Sequence, residues 1–242
     1  MKNLISALQF ITILPLGKPK VFDPSAMVPY FPLAGLLIGL IVAGLDRLFL
    51  FLWPAPVAAL LDVVVLAAVT GALHLDGLGD SADGLYGQRD REDALRIMKD
   101  SRIGAMGLIA IVCCLAIKWA GLAGLESHRS LLIVIIPVYA RTGILFGMRY
   151  LAYGRPEGGT GSAFFEKRPD IRAFWGVLPA LALSLFLGWR AVLLNFVFLI
   201  LVFGIIYYYK KKIGGITGDM LGAMVEITET GLFLLLSMGG IP

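Results

Sequence analysis

Three aspartates, Asp76, Asp80 and Asp83, punctuate the stretch "HLDGLGDSADGLYG" at residues 74 to 87. At about 100° per helical residue they fall within an arc of roughly 60°. Carboxylates on one stripe repel one another and are costly beside lipid unless a cation sits among them. Their hard oxygens suit Mg2+, which takes one or two carboxylates and completes its shell with water and phosphate. The spacing lacks the 1, 3, 5 ligand order of an EF-hand. Gly77 and Gly84 lie a heptad apart on an adjacent strip. Each costs about 1 kcal/mol in a helix interior, so close approach of a ligand or another helix is expected there. His74 points roughly 160° from the stripe on a regular helix, which favours packing or hydrogen bonding over metal ligation.

A second acidic group lies in "GGITGDMLGAMVEITET", residues 214 to 230. Asp219 and Glu226, seven apart, face the same way, and Glu229 is offset by about 60° from Glu226. Gly222 and Ala223 keep that side narrow, as a closely packed helix requires. A carboxylate inside a spanning segment either takes part in function or partners a buried cation. Two acidic stripes together suit a Mg2+–phosphate or binuclear site between helices. Counter-charges for a phosphorylated substrate are available. Lys99, Asp100 and Arg102 lie in "MKDSRIGAMG", and Arg141 lies well inside a span, where it needs a substrate or a partner such as Asp219 or Glu226. Arg155 lies in the glycine-rich "YGRPEGGTGSAF", whose backbone N–H groups can meet phosphate oxygens. Asp62 and Lys118 are expected to form a structural ion pair away from the acidic face.

The elements that carry these residues are apolar. The chain is 58% hydrophobic and 16% charged, with mean hydropathy +0.84, which excludes an ordinary soluble globule. Runs of about 20 apolar residues span a bilayer core. Seven spans are expected, at about 29–52, 56–75, 104–125, 131–151, 172–188, 191–209 and 217–238, forming one all-α polytopic domain over residues 1–242. The segment "MKNLISALQFITILPLGKPK" is expected as a short interfacial helix, since no small-residue cleavage site follows it. With this layout alternate connections hold 16 and 2 Lys or Arg residues, which puts the N-terminus and both acidic groups on the cytoplasmic side of the cell membrane. The net charge of +4 is accounted for by those loops and gives no reason to expect nucleic acid. Cys113 and Cys114, adjacent in an apolar run, are expected to be packing or lipid-face residues.

H-x-D-G-x-x-D-x-x-D-G at 74–84 resembles the signature of the cobalamin synthases, the adenosylcobinamide-GDP ribazoletransferases. The resemblance runs along nearly the whole chain: "LQFITILPLG" and "FPLAGLLIGLI" resemble the family's opening, "KDSRIGAMG" the segment after the acidic motif, "RPEGGTGSAF" its middle loop and "GGITGDMLGAMVEITE" its last helix. Ile13 stands where many members carry arginine. The resemblance implies an integral membrane enzyme of vitamin B12 assembly. It implies Mg2+-dependent joining of adenosylcobinamide-GDP to α-ribazole, or its 5′-phosphate, with release of GMP. By this reading Asp76, Asp80, Asp83, Asp219 and Glu226 are metal ligands, and Asp83, Asp219 or Asp80 takes the proton of the ribazole hydroxyl. His74, Lys99, Asp100, Arg102, Arg141, Arg155 and Glu229 serve the substrate. Homo-oligomers and upstream enzymes of the pathway are the expected protein partners. The rivals are a CDP-alcohol phosphotransferase, a prenyltransferase and, in a different class, a cation transporter. The last is disfavoured by the lack of an internal repeat and by acids gathered toward one surface.

Overall fold

The computed structural model describes residues 2–17, 23–155, 157–158 and 161–238. In chain order its α-helices are α1 (Lys2–Ile11), α2 (Pro24–Met27), α3 (Phe31–Leu52), α4 (Ala55–Val69), α5 (Leu73–Leu85) and α6 (Arg91–Ile97). They continue with α7 (Ala105–Ala123), α8 (Arg129–Tyr150), α9 (Leu178–Ser184), α10 (Trp189–Ile213) and α11 (Gly218–Leu236). Lys18, Lys20, Gly159 and Thr160 of the sequence argument lie outside the described residues.

Four stretches are long and apolar enough to cross a bilayer: Pro24–Leu52, Ala105–Ala123, Arg129–Tyr150 and Trp189–Ile213. The pair α4 and α5 adds a fifth if the two form one broken span, because they are bent by 88°. The protein is thus an all-α multi-pass membrane protein, and the expected count of seven spans is not supported. The physical reasons are local. Residues 171–187 make a shorter apolar unit, Ile171–Leu187. Helix α11 has 19 residues but carries Asp219, Glu226 and Glu229. The expected 56–75 span ends at Val69, where Gly71 and Ala72 both take left-handed backbone, φ 58° and 56°. For alanine that conformation costs about 1 kcal/mol, and it turns the aspartate helix out of line with α4.

The central helix is α8, buried almost throughout. Its neighbours reach it through small residues. A Cβ on Gly39 would lie 2.8 Å from the Ile133 carbonyl oxygen, and Gly35 meets the Pro137 carbonyl, so the spacing Gly35–Gly39 lets α3 lie backbone to backbone on α8. Helix α11 sits against α8, α5 and α7 in the same layer. Gly121 of α7 would place a Cβ 2.8 Å from the Leu234 backbone nitrogen. Helix α1 buries Ala7, Leu8 and Ile11 against this bundle. At the far end Arg129 donates to Asp46 at 2.7 Å and to Asp62 at 2.8 Å. Asp62 therefore belongs to Arg129 and not to Lys118, as the sequence had suggested.

Candidate active site at the α5–α11 crossing

Helices α5 and α11 cross where neither has bulk. A Cβ on Gly77 would lie 2.6 Å from the Asp219 carbonyl oxygen, and one on Gly222 would lie 3.3 Å from the His74 Cα. Gly84 serves α6 in the same way, with the Ala94 carbonyl oxygen 2.7 Å from its would-be Cβ. Both glycines of the aspartate helix thus answer to helix packing. The crossing brings Asp219, at the N-terminal turn of α11, into the electrostatic field of Asp80 together with Asp76, Asp83 and Arg155. Thr217 caps α11 by accepting the Met220 N–H, and an acid in that first turn is favoured by the helix dipole.

Arg155 reaches the cluster through a contact between distant parts of the chain. Tyr153 bridges to Ile216, with the Gly154 N–H donating to the Ile216 carbonyl at 2.9 Å and the Ile216 N–H to the Ala152 carbonyl at 3.0 Å. That pairing sets the Arg155 guanidinium on Asp219 at 2.6 Å. Arg155 also lines a neighbouring cavity of about 560 Å³ with Arg91, Arg96, Lys99, Glu92 and Glu157. Arg91 was not singled out from sequence; it donates to the Gly154 carbonyl at 3.0 Å and fixes the loop that carries Arg155.

The aspartates differ in what they touch. Asp76 and Asp80 make no side-chain hydrogen bond or ion pair among the described residues. Asp83 accepts the Gly104 N–H at 2.7 Å and the Gly107 N–H at 2.8 Å. It therefore caps α7 from a neighbouring helix and satisfies two of that helix's orphan donors. Gly104 and Gly107 face this carboxylate so closely that a Cβ on either would collide with it.

Glu226 and Glu229 lie elsewhere, which corrects the sequence reading. Lys118 of α7 pairs with Glu226 at 2.6 Å and with Glu229 at 3.1 Å, and Arg141 of α8 pairs with Glu229. All four side chains are buried. Two cations and two anions balance, as low dielectric demands, so Glu226 is not in the acidic cluster and Arg141 and Glu229 are not open to a substrate. Asp100 and Arg102 pair with each other at 2.6 Å in an exposed turn. Hydrogen bonds from the Arg102 side chain and backbone hold Asp100 down to about 2. Lys99 pairs with Glu157 at 3.1 Å.

His74 is buried, and its Nδ1 has no hydrogen-bond partner. It lines a cavity of about 240 Å³ that also touches Asp76 and Asp219. No preformed group of three His, Cys, Asp or Glu ready to hold a metal occurs among the described residues. The chemistry of the donors would suit a hard cation: Asp76 and Asp80, one turn apart, make no side-chain hydrogen bond or ion pair among the described residues and offer oxygen ligands only, of which Mg2+ needs no more than one or two.

Comparisons with known proteins carry the site further. The family described as cobalamin-5-phosphate synthase matches residues 3–237. The chain is similar to the adenosylcobinamide-GDP ribazoletransferase of Geotalea daltonii, 37% identical over 97% of this chain and 96% of the relative. It is also similar to those of Clostridium novyi, at 36% over 97% and 96%, and Chlorobaculum tepidum, at 36% over 98% and 96%. No solved structure matches.

Proposed function

The chain belongs to the cobalamin-5-phosphate synthase family, and on that premise we propose that it transfers the phosphocobinamide part of adenosylcobinamide-GDP to α-ribazole or its 5′-phosphate, releasing GMP. The observation that carries this reading is the junction at Arg155. One guanidinium both pairs with Asp219 in the acidic cluster and lines the basic cavity with Arg91, Arg96 and Lys99. A nucleoside diphosphate laid across that junction has cations along its departing half and carboxylates at its reacting phosphorus.

Phosphoryl transfer needs chiefly positioning and neutralised charge. Asp76 and Asp219 would hold Mg2+, which when bound supplies positive charge to the diphosphate oxygens. Arg155 and Arg91 orient the nucleotide side of the diphosphate, and Arg155 meets the negative charge that the departing GMP carries away. Asp80, with no partner on its oxygens, takes the proton of the attacking ribazole hydroxyl. Asp83, with both oxygens engaged by Gly104 and Gly107, positions α7 and takes no proton. The basic residues gathered at this end of the bundle, Arg91, Lys99, Arg155 and Lys212, which donates to the Gly87 carbonyl at 2.6 Å, support an orientation with the acidic cluster on the cytoplasmic side of the cell membrane.

A lipid-linked diphosphate is the second reading that an observation favours. An apolar groove of about 730 Å³ runs behind α5 past Leu78, Leu85, Ile109 and Ile205, as an acyl or prenyl chain would require. One assay separates the two. Purified protein in detergent is given adenosylcobinamide-GDP and α-ribazole with and without Mg2+, and in parallel a CDP-alcohol or a prenyl diphosphate with its acceptor. The account expects Mg2+-dependent GMP and a joined corrinoid. CMP or inorganic diphosphate from the other substrates, with no GMP, would overturn it.

A further inference from the structure

The cavity of about 240 Å³ at the α5–α11 crossing has two unlike walls. One is polar: His74, Asp76 and Asp219. The other is a cluster of three phenylalanines from separate parts of the chain, Phe10 of α1, Phe31 of α3 and Phe164 of the middle loop. The Phe10 and Phe164 rings lie 4.8 Å apart at 46°, and each stands 6.1 Å from Phe31. Phe10 is 43% exposed and shares with its partners a cavity that ends on Asp76, which has no ion pair among the described residues, and on Asp219, which is paired with Arg155. His74, only 3% exposed, lines the same cavity, and its Nδ1 has no hydrogen-bond partner among the described residues. A buried polar atom left in this way calls for a partner, which a bound water or a ligand group supplies.

We infer that this cavity seats the acceptor nucleoside, with its bicyclic aromatic base against Phe10, Phe31 and Phe164 and its sugar toward His74, Asp76 and Asp219. The inference rests on the function proposed above and adds the subsite. Size excludes the donor's corrin ring, which is several times larger than the space. Polarity separates the two bases of the reaction. Guanine carries donors and acceptors around its edge, and against three phenylalanines they would be buried without partners at a cost of about 1–3 kcal/mol each. A benzimidazole edge is apolar over its carbocyclic side and loses nothing there. The clustered rings then hold the base, while Nδ1 of His74, a donor or an acceptor according to tautomer, meets a sugar hydroxyl. That pose directs another hydroxyl at Asp219 and at Asp76, which lies one helical turn along α5 from Asp80. The donor's guanosine is left to the basic cavity beyond Arg155.

Equilibrium binding of α-ribazole and, separately, of guanosine to the purified wild-type protein, Phe10→Ala and Phe164→Ala tests this without requiring turnover. Base–aromatic stacking predicts that α-ribazole binds the wild type and weakens roughly tenfold in each variant, while guanosine does not compete for the site. Phe10 is half exposed, so its variant keeps the fold even if Phe164→Ala does not. In the steady state KM for α-ribazole should rise with KM for adenosylcobinamide-GDP unchanged in Phe10→Ala. Unaltered α-ribazole binding in Phe10→Ala, or displacement of α-ribazole by guanosine, would overturn the subsite. If instead α-ribazole binds as described and no GMP is released by the wild type, the subsite stands and the proposed reaction fails.

Discussion

Two groups of charge lie along α11, and they are built oppositely. At mid-helix Glu226 and Glu229 meet Lys118 and Arg141, charge for charge, with all four side chains buried. At its N-terminal turn Asp219 joins Asp76, Asp80 and Asp83, four carboxylates with one ion pair to a cation among the described residues, that of Asp219 with Arg155. The first arrangement is complete, since each charge has its partner and the segment can sit in a low-dielectric interior. The second carries an excess of negative charge, which the proposed Mg2+ would offset. An intramembrane carboxylate is therefore a poor sign of chemistry by itself, and its counter-charge decides. At the other end of the bundle Asp46 and Asp62 share the one guanidinium of Arg129, a third group that ties α3 and α4 to the start of α8.

Substitutions break or sharpen that contrast. The largest effect on rate is expected from Asp80→Asn, which should slow GMP release by about 10²–10⁴-fold while leaving the thermal midpoint of the purified protein close to wild type. Lys118→Met should do the reverse. Leaving Glu226 buried and unpaired costs about 3–5 kcal/mol, seen as a large drop in thermal midpoint. The double variant Lys118→Met with Glu226→Met should recover most of it, because Arg141 and Glu229 still balance. Asp83→Ala comes next, with a loss of about 1 kcal/mol from the uncapped α7, measured by denaturation, and a fall in rate that follows the shifted helix. The smallest is Glu157→Gln, whose exposed pair with Lys99 contributes at most about 1 kcal/mol and should leave both readouts nearly unchanged. A strong loss of rate in Glu157→Gln would mean that this loop does more than line the basic cavity.

Much of this was legible in the sequence, and the gaps have physical causes. Helical periodicity placed Asp76, Asp80 and Asp83 on one stripe, and apolar length located α3, α7, α8 and α10. The 88° bend between α4 and α5 was not legible, because it turns on left-handed backbone at Ala72, a conformation that a non-glycine residue does not advertise. Seven-residue spacing put Glu226 beside Asp219 on one helix face, yet a helix seven residues long spans about 10 Å, enough to separate the acidic cluster from the buried pairs. The partners of Arg141 were reduced to Asp219 or Glu226, whereas tertiary packing selected Glu229. The contact of Arg155 with Asp219 depends on the bridge from Tyr153 to Ile216, more than 60 residues apart, which no local pattern carries. The role of Asp83 as a cap for α7 was hidden for the same reason, although Gly104 and Gly107 were visible as small residues just ahead of a span.

The most direct test of the contrast is the rate of GMP release from adenosylcobinamide-GDP and α-ribazole, per folded molecule, for Asp80→Asn beside Glu226→Gln. The account predicts that Asp80→Asn is nearly inactive at wild-type stability, and that Glu226→Gln, once corrected for its folded fraction, retains most of the activity. Full activity in Asp80→Asn, with its loss in well-folded Glu226→Gln, would contradict the account and move the chemistry to the buried pairs.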